Sequence, residues 1–227
     1  TEAVTGIDLV EWMLLIAAGL PPKLNELPAP QGAAMEVRIY AEDPLRNFQP
    51  SPGTLTEVVF PDADWVRVDG WISSGSEVSP HYDPMLAKLI VHGTDRADAL
   101  AKLQQALDAT SLGGIASNLE YLRQITRWQR FVSGDVATQA LNSFEFAPNA
   151  MEVVVAGTYT TVQDYPGRVG YWDIGVPPSG PMDDRSFRLA NRLVGNGAEA
   201  AGLECTIIGP SLLFHSDTTI ALTGALS

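Results

Sequence analysis

Met35, Val37 and Ile39 alternate with Glu36, Arg38 and Tyr40. A period of two is the mark of a strand with one buried face, and it sets Arg38 on the other face. Leu55–Phe60, Trp65–Val68 and Leu86–His92 predict further strands. The rhythm becomes helical over Asp95–Ala109, where Leu100, Leu103 and Leu107 share one side. It is also helical over Ile7–Ala18, with Asp8 and Glu11 in the first turns and Gly19 as the stop before Pro21 and Pro22. The segment from Pro21 to Ala33 is turn-rich. Ser117 and Glu120 have capping-box spacing for a helix running through Trp128.

The pattern changes near Phe144–Ala150 (FEFAPNA), where Met151–Val155 opens a strand-rich region. Glycine and proline become dense between Gly157 and Pro181. Asp183 or Asp184 caps a predicted helix through Val194, ended by Gly195 and Asn196. Leu203–Ile208, Ser211–Phe214 and Thr219–Leu222 are three short strand candidates. The last stands close to Ser227, which leaves its expected partner strand missing. The fold class is therefore α+β in two parts: residues 1–147 with an antiparallel sheet and helices, and residues 148–227 rich in strands.

With 227 residues, 45% of them hydrophobic, the chain can bury sizeable cores. A net charge of −13 without a basic stripe argues against nucleic acid as a partner. The apolar stretch Trp12–Leu20 is too short to span a bilayer, and the opening TEAVTGID has no basic leader region. No membrane partner and a cytoplasmic location are expected. One cysteine, Cys205, excludes an internal disulfide and a cysteine zinc cluster, and its strand-like surroundings predict a buried thiol. His81, His92 and His215 are too widely spaced for a local metal motif, so no metal site is expected.

Four segments carry a resemblance in the first part: TEAVTGIDLVEWMLLIAAG (1–19), MEVRIYAEDP (35–44), HYDPMLAKLIVHG (81–93) and SLGGIASNLEYLRQI (111–125). In this order and spacing they resemble the C-terminal lobe of biotin carboxylases. The run TTVQDYPGRVGYWDIGVPPSGPMDDRSFRLANRLVGN (160–196) resembles the opening of the carboxyltransferase domain of urea carboxylases. It also resembles relatives found as a 5-oxoprolinase subunit or described as kinase inhibitors, but these lack a preceding biotin carboxylase lobe. The order of the two parts therefore favours the urea carboxylase (urea amidolyase) family. The resemblance implies an ATP- and biotin-dependent ligase that converts urea and bicarbonate to allophanate, with Mg²⁺ and a separate biotin carrier domain. Guanidine in place of urea, or a non-catalytic binding module like the kinase-inhibitor relatives, are the alternatives.

Alternation alone makes Arg38 an exposed strand arginine paired with Glu36, Glu42 or Asp43. The resemblance instead implies that Arg38 sits beside bicarbonate and the ureido ring of biotin, where a guanidinium stabilises developing negative charge. It likewise implies that Ile115 packs on the adenine of ATP, against the plainer role of core packing. Asp83 and Lys88 are expected to form a local ion pair. In the second part Asp164 could act as a base for the urea nitrogen and Arg168 as an oxyanion donor. Turn chemistry, with Arg168 paired to Asp164, is the competing account.

The chain opens on Thr1, contains no glycine-rich phosphate loop and has no Met-Lys pair of the kind that carries biotin. It is expected to be part of a larger enzyme and, alone, inactive. The purified 227-residue polypeptide should show no bicarbonate-dependent ATP cleavage. Biotin-stimulated phosphate release above a heat-killed control would overturn that expectation.

Overall fold

The computed structural model describes residues 1–22 and 24–225, and the chain forms two compact units, Thr1–Phe146 and Ala147–Ser227. In the first unit the order is α1 (Glu2–Thr5), α2 (Leu9–Ala17), β1 (Ala33–Tyr40), β2 (Glu42–Asp43), β3 (Gln49–Pro50), β4 (Gly53–Thr54) and β5 (Glu57–Val59). It continues with β6 (Val66–Gly70), β7 (Glu77–Val78), β8 (Met85–Gly93), α3 (Arg96–Ala109), β9 (Ser111–Gly113), α4 (Leu119–Arg127) and α5 (Gln129–Val132).

The framework is an antiparallel sheet in the order β1-β8-β6. Register fixes which residues share a face. Val37, Leu89 and Val68 form one row across the three strands, and Met35, Val91 and Val66 another. This apolar face packs under α3, whose Ala99, Leu100, Leu103, Ala106 and Leu107 are buried. Each fully buried Leu or Val contributes about 1.5–3 kcal/mol, and this packing is the core of the unit. On the opposite face the rows are Arg38–Lys88–Asp69 and Glu36–Ile90–Arg67. The register shifts between Ile39 and Tyr40, so that Tyr40 faces Met85 and Leu86 is passed over.

The alternating run from Met35 to Tyr40 is a strand as expected, with Ile39 fully buried, but Met35 and Val37 are only half-buried. The expected Leu55–Phe60 strand is divided between β4 and β5. Leu55 lies between them, fully buried, with its amide bonded to the Ser76 carbonyl in place of a ladder partner. Helix α2 starts at Asp8, whose carboxylate accepts from the amides of Val10 and Glu11. Its apolar side chains Val10, Met13 and Leu14 stay exposed, because among the described residues no layer covers them. The capping box does not form. Asn118, not Ser117, is the N-cap of α4, and the helix ends at Arg127 before Trp128 turns extended and α5 begins. Asp83 and Lys88 do not pair either: Asp83 accepts from the Met85 amide at 2.8 Å, and Lys88 reaches Asp69 at 3.1 Å.

The second unit contains β10 (Met151–Val155), β11 (Tyr159–Gln163), α6 (Asp184–Leu193), β12 (Gly202–Thr206) and β13 (Ser211–Phe214). β10 pairs with β13 and β11 with β12, both antiparallel. Asp183 caps α6 by accepting from the Ser186 amide at 3.0 Å, and Gly195 follows in the left-handed conformation. Thr219–Leu222 is not a strand, since it finds no ladder among the described residues; beyond it the Thr223 hydroxyl donates to the Ser186 carbonyl. Cys205 is exposed and not buried, because β12 pairs only with β11 and nothing covers its outer face among the described residues.

Leu103→Ala should cost about 2–5 kcal/mol of stability, the range for emptying a fully buried leucine site; denaturant unfolding of the wild type and the variant measures it. Asp98 offers a pH test. The Thr94 amide at 2.8 Å and the Lys102 ammonium at 3.0 Å hold its carboxyl below the ordinary range. Its contribution is therefore present above the unfolded value of about 3.9 and is lost as pH falls through the lower folded value. Asp98→Asn should narrow the loss of Tm between neutral pH and about pH 3, measured by thermal unfolding of both proteins.

Candidate functional site

In the first unit the charged face of the sheet collects Arg38, Lys88, Asp69 and Arg67. Arg38 and Lys88 stand directly opposite on antiparallel strands, an arrangement that like charges disfavour. Lys88 leans away to Asp69, which also takes Arg67 at 2.8 Å, and Arg67 reaches Glu2 at 3.1 Å. The Arg67 guanidinium first and the Lys88 ammonium with it hold the Asp69 carboxyl below the usual range. Arg38 is left with a long contact of 3.4 Å to Glu36, while its side chain is 60% exposed. The Tyr40 hydroxyl and the Glu36 carboxylate push the Arg38 pKa up from an already high value, so it stays cationic. Of the three acids expected near Arg38, Glu36 makes this contact; Asp43 caps the turn after β2 by accepting from the Leu45 amide and contacts Arg46.

Chemically, this face presents a permanent cation with donors to spare beside a second cation, able to take an anion or a polarised carbonyl oxygen. Ile115 lies between β9 and α4, half-buried against the core, with its Cγ2 closing on Gly53 so tightly that a Cβ there would come within 3.0 Å. The segment between β9 and α4 is also tied to the Ser51 hydroxyl, which accepts from the Ala116 amide at 3.0 Å.

In the second unit, the loop after β11 turns back on itself. The Arg168 amide donates to the Pro178 carbonyl at 2.6 Å, and its guanidinium donates to the Ser179 hydroxyl at 2.8 Å. Gly167 and Gly180 adopt φ of 84° and 86°, a region glycine enters without strain. Between these strands of loop lies a cavity of about 650 Å³ lined by Tyr159, Gln163, Asp164, Arg168 and Ser179 among others. Asp164 and Arg168 thus share a cavity but not an ion pair: Arg168 binds Ser179, and the Asp164 carboxylate has no partner among the described residues. Tyr165 packs its ring 4.6 Å from the Arg188 guanidinium carbon.

The sequence patterns did not point to Asn118, nor to Ser179, one of the polar residues interleaved in the glycine-rich segment, as the partner of Arg168. The buried Asn118 bonds β1 next to Arg38, and Ser179, at a φ of 56°, is the acceptor for Arg168. The first was hidden by the capping-box spacing beside it, and the second by the ordinary turn chemistry of Pro-Ser-Gly. Among the described residues no group of His, Cys, Asp and Glu is arranged to hold a metal ion, and no helix is long and apolar enough to cross a membrane.

Residues 36–143 match the biotin carboxylase C-terminal domain family, and residues 174–227 match the carboxyltransferase domain, subdomain A and B. The biotin carboxylase of Halalkalibacterium halodurans is 47% identical over 140 residues, 61% of this chain and 30% of that protein. The biotin carboxylase domain of a thermophilic 2-oxoglutarate carboxylase, solved with bicarbonate bound, has a TM-score of 0.59 at 34% identity, covering 62% of this chain and 32% of that one. The chain thus combines a biotin carboxylase C-terminal domain with part of a carboxyltransferase domain.

Urea amidolyase of Saccharomyces cerevisiae is 54% identical over 225 residues, which is 99% of this chain and 12% of that protein. The crystal structure of Kluyveromyces lactis urea carboxylase has a TM-score of 0.85 at 54% identity, covering 99% of this chain and 20% of that one. The chain belongs to the urea carboxylase family, and it spans a fifth or less of the length of these relatives.

Proposed function

We propose that the chain serves in an ATP- and biotin-dependent carboxylase that joins bicarbonate to urea to give allophanate. The observation that carries this is identity of 54% running through both units to urea amidolyase, in a chain whose fold follows urea carboxylase. Residues 1–147 act as the C-terminal lobe of the biotin carboxylase, and residues 148–227 as the beginning of the carboxyltransferase domain. Biotin on its own carrier domain supplies the group that takes up and delivers the carboxyl. ATP with Mg²⁺ supplies the activation of bicarbonate, and the working location is the cytoplasm.

Arg38 is the residue of this chain that meets the charge in the first half-reaction. The fit rests on its exposed, weakly paired guanidinium, standing on a rigid strand with Lys88 opposite. Such a cation, fixed before reaction, stabilises negative charge on a ureido oxygen or on bicarbonate without reorganising. Ile115 provides an apolar surface for the adenine, consistent with its half-buried side chain between β9 and α4.

In the second half-reaction the cavity around Asp164 and Arg168 takes urea. Asp164, a carboxylate without a partner among the described residues, would take the proton that the urea nitrogen gives up on bonding to the carboxyl carbon, while the bond from that carbon to the biotin nitrogen breaks and the released biotin nitrogen takes the electron pair and a proton in return. Arg168, steadied by Ser179, donates to the oxygen that gathers charge.

In the full-length enzyme Arg38→Ala should slow bicarbonate- and biotin-dependent ATP cleavage by on the order of 10²-fold, the scale for losing one preorganised donor. Arg38→Lys should recover only part of the rate, because an ammonium cannot reproduce the guanidinium fork. Carboxyl transfer to urea, measured separately, should persist in both. Asp164→Asn and Arg168→Ala should show the reverse pattern, each slowing transfer by on the order of 10²-fold with ATP cleavage retained. Comparing urea with guanidine as acceptor in the same assay tests the substrate. A near wild-type rate for Arg38→Ala would return it to the role of a surface strand arginine.

A further inference from the structure

β1 lies at the edge of its sheet, with β8 on one side only. The outward-facing Arg38 carbonyl and the Tyr40 amide and carbonyl are bonded by one residue. The Tyr40 amide donates to Asn118 Oδ1 at 2.9 Å, Asn118 Nδ2 donates to the Arg38 carbonyl at 3.1 Å, and the Asn118 amide donates to the Tyr40 carbonyl at 3.1 Å. Asn118 is only 7% exposed. It occupies the N-cap position of α4, where an asparagine side chain ordinarily accepts from the amides of its own helix. Here it makes no such cap bond and spends both ends of its amide on β1. The two bonds flank Ile39, one on the Arg38 carbonyl and one on the Tyr40 amide, and sit where the register shifts between Ile39 and Tyr40, the kind of irregularity that re-aims a neighbouring side chain.

We propose that Asn118 is a positioning residue for Arg38: its amide clamp on the free edge of β1 fixes the pleat at residue 38 and so the aim of the guanidinium. This rests on the assignment of Arg38 as the cation of the first half-reaction. The strand is then held from both sides at that point, by the β8 register on one and by Asn118 on the other. The clamp also joins β1 to the short segment that carries Ile115, so the two residues assigned to this half-reaction are braced by a common link. Arg38 points from a strand face with one long ion-pair contact of 3.4 Å to Glu36 and the Tyr40 hydroxyl beside it, and Tyr40 is itself held by the Asn118 clamp.

The test is a double-mutant cycle in the full-length carboxylase with Asn118→Ala, Asn118→Ser, Arg38→Ala and the combinations. Rates of biotin-dependent ATP cleavage, the KM for ATP, carboxyl transfer and Tm are measured for each. Asn118→Ala should lower kcat of the first half-reaction by on the order of 10-fold through misplacement of the guanidinium. The KM for ATP and the transfer half-reaction should stay unchanged. Asn118→Ser, which keeps an acceptor for the Tyr40 amide, should lose less. With Arg38→Ala already present, Asn118→Ala should cause no further loss of rate. Losses that multiply in the double variant, or a wild-type rate for Asn118→Ala beside an impaired Arg38→Ala, would overturn the positioning role and leave the assignment of Arg38 standing. A wild-type rate for Arg38→Ala would overturn both. Should Asn118→Ala fail to fold, the same cycle with Asn118→Ser decides.

Discussion

The packing of α3 on β8 governs what the first unit can present. β8 is the middle strand, so its alternation is enforced on both sides: Leu89 and Val91 are fully buried under the helix, and Lys88 emerges on the other face. A slip of one residue in β1 would bury Arg38 and expose Ile39 and Val37. The hydrophobic effect therefore selects the register, and the register places Arg38 opposite Lys88. The chemistry of the charged face is a by-product of the apolar one.

The second unit uses a different constraint. Its two-stranded pairings bury little, and β10 is exposed along its length. What holds the cavity in shape is loop backbone: the Arg168 amide on the Pro178 carbonyl, the turns at Gly167 and Gly180, and Arg168 tied to Ser179. A substituent at Gly167 would meet the Pro178 carbonyl directly. Such a site depends on conformational freedom at particular positions more than on core volume.

These two constraints explain what could be read from the sequence. Period two along Met35–Tyr40 is a local signal with a local cause, and it assigned both the strand and the face that carries Arg38. The helix over Asp95–Ala109 was legible for the same reason, with Leu100, Leu103 and Leu107 all turned inward. Asn118 was not, because its bonds span 78 and 80 residues and no window of sequence contains both partners. The same holds for Lys88, whose partner proved to be Asp69 on β6 and not its neighbour Asp83. Asp164 and Arg168 were legible as polar residues in a glycine-rich turn, but whether they paired with one another depended on Ser179, 11 residues further on.

Charge makes the point about locality again. The chain carries a net −13, which by itself would repel bicarbonate. Screening limits that field to about 8 Å at physiological ionic strength, so an anion arriving at the sheet responds to the charges on that face. There the cross-strand rows gather Arg38, Lys88 and Arg67, with Asp69 shared between the latter two and Glu36 only loosely engaged. Asp69 draws Lys88 away from Arg38 and so relieves the like-charge contact that the register imposes. Arg38 keeps its charge and most of its donors free. An acidic chain can thus hold a cationic spot wherever its strand register stacks basic residues and its carboxylates are committed to neighbours other than the one that must stay available.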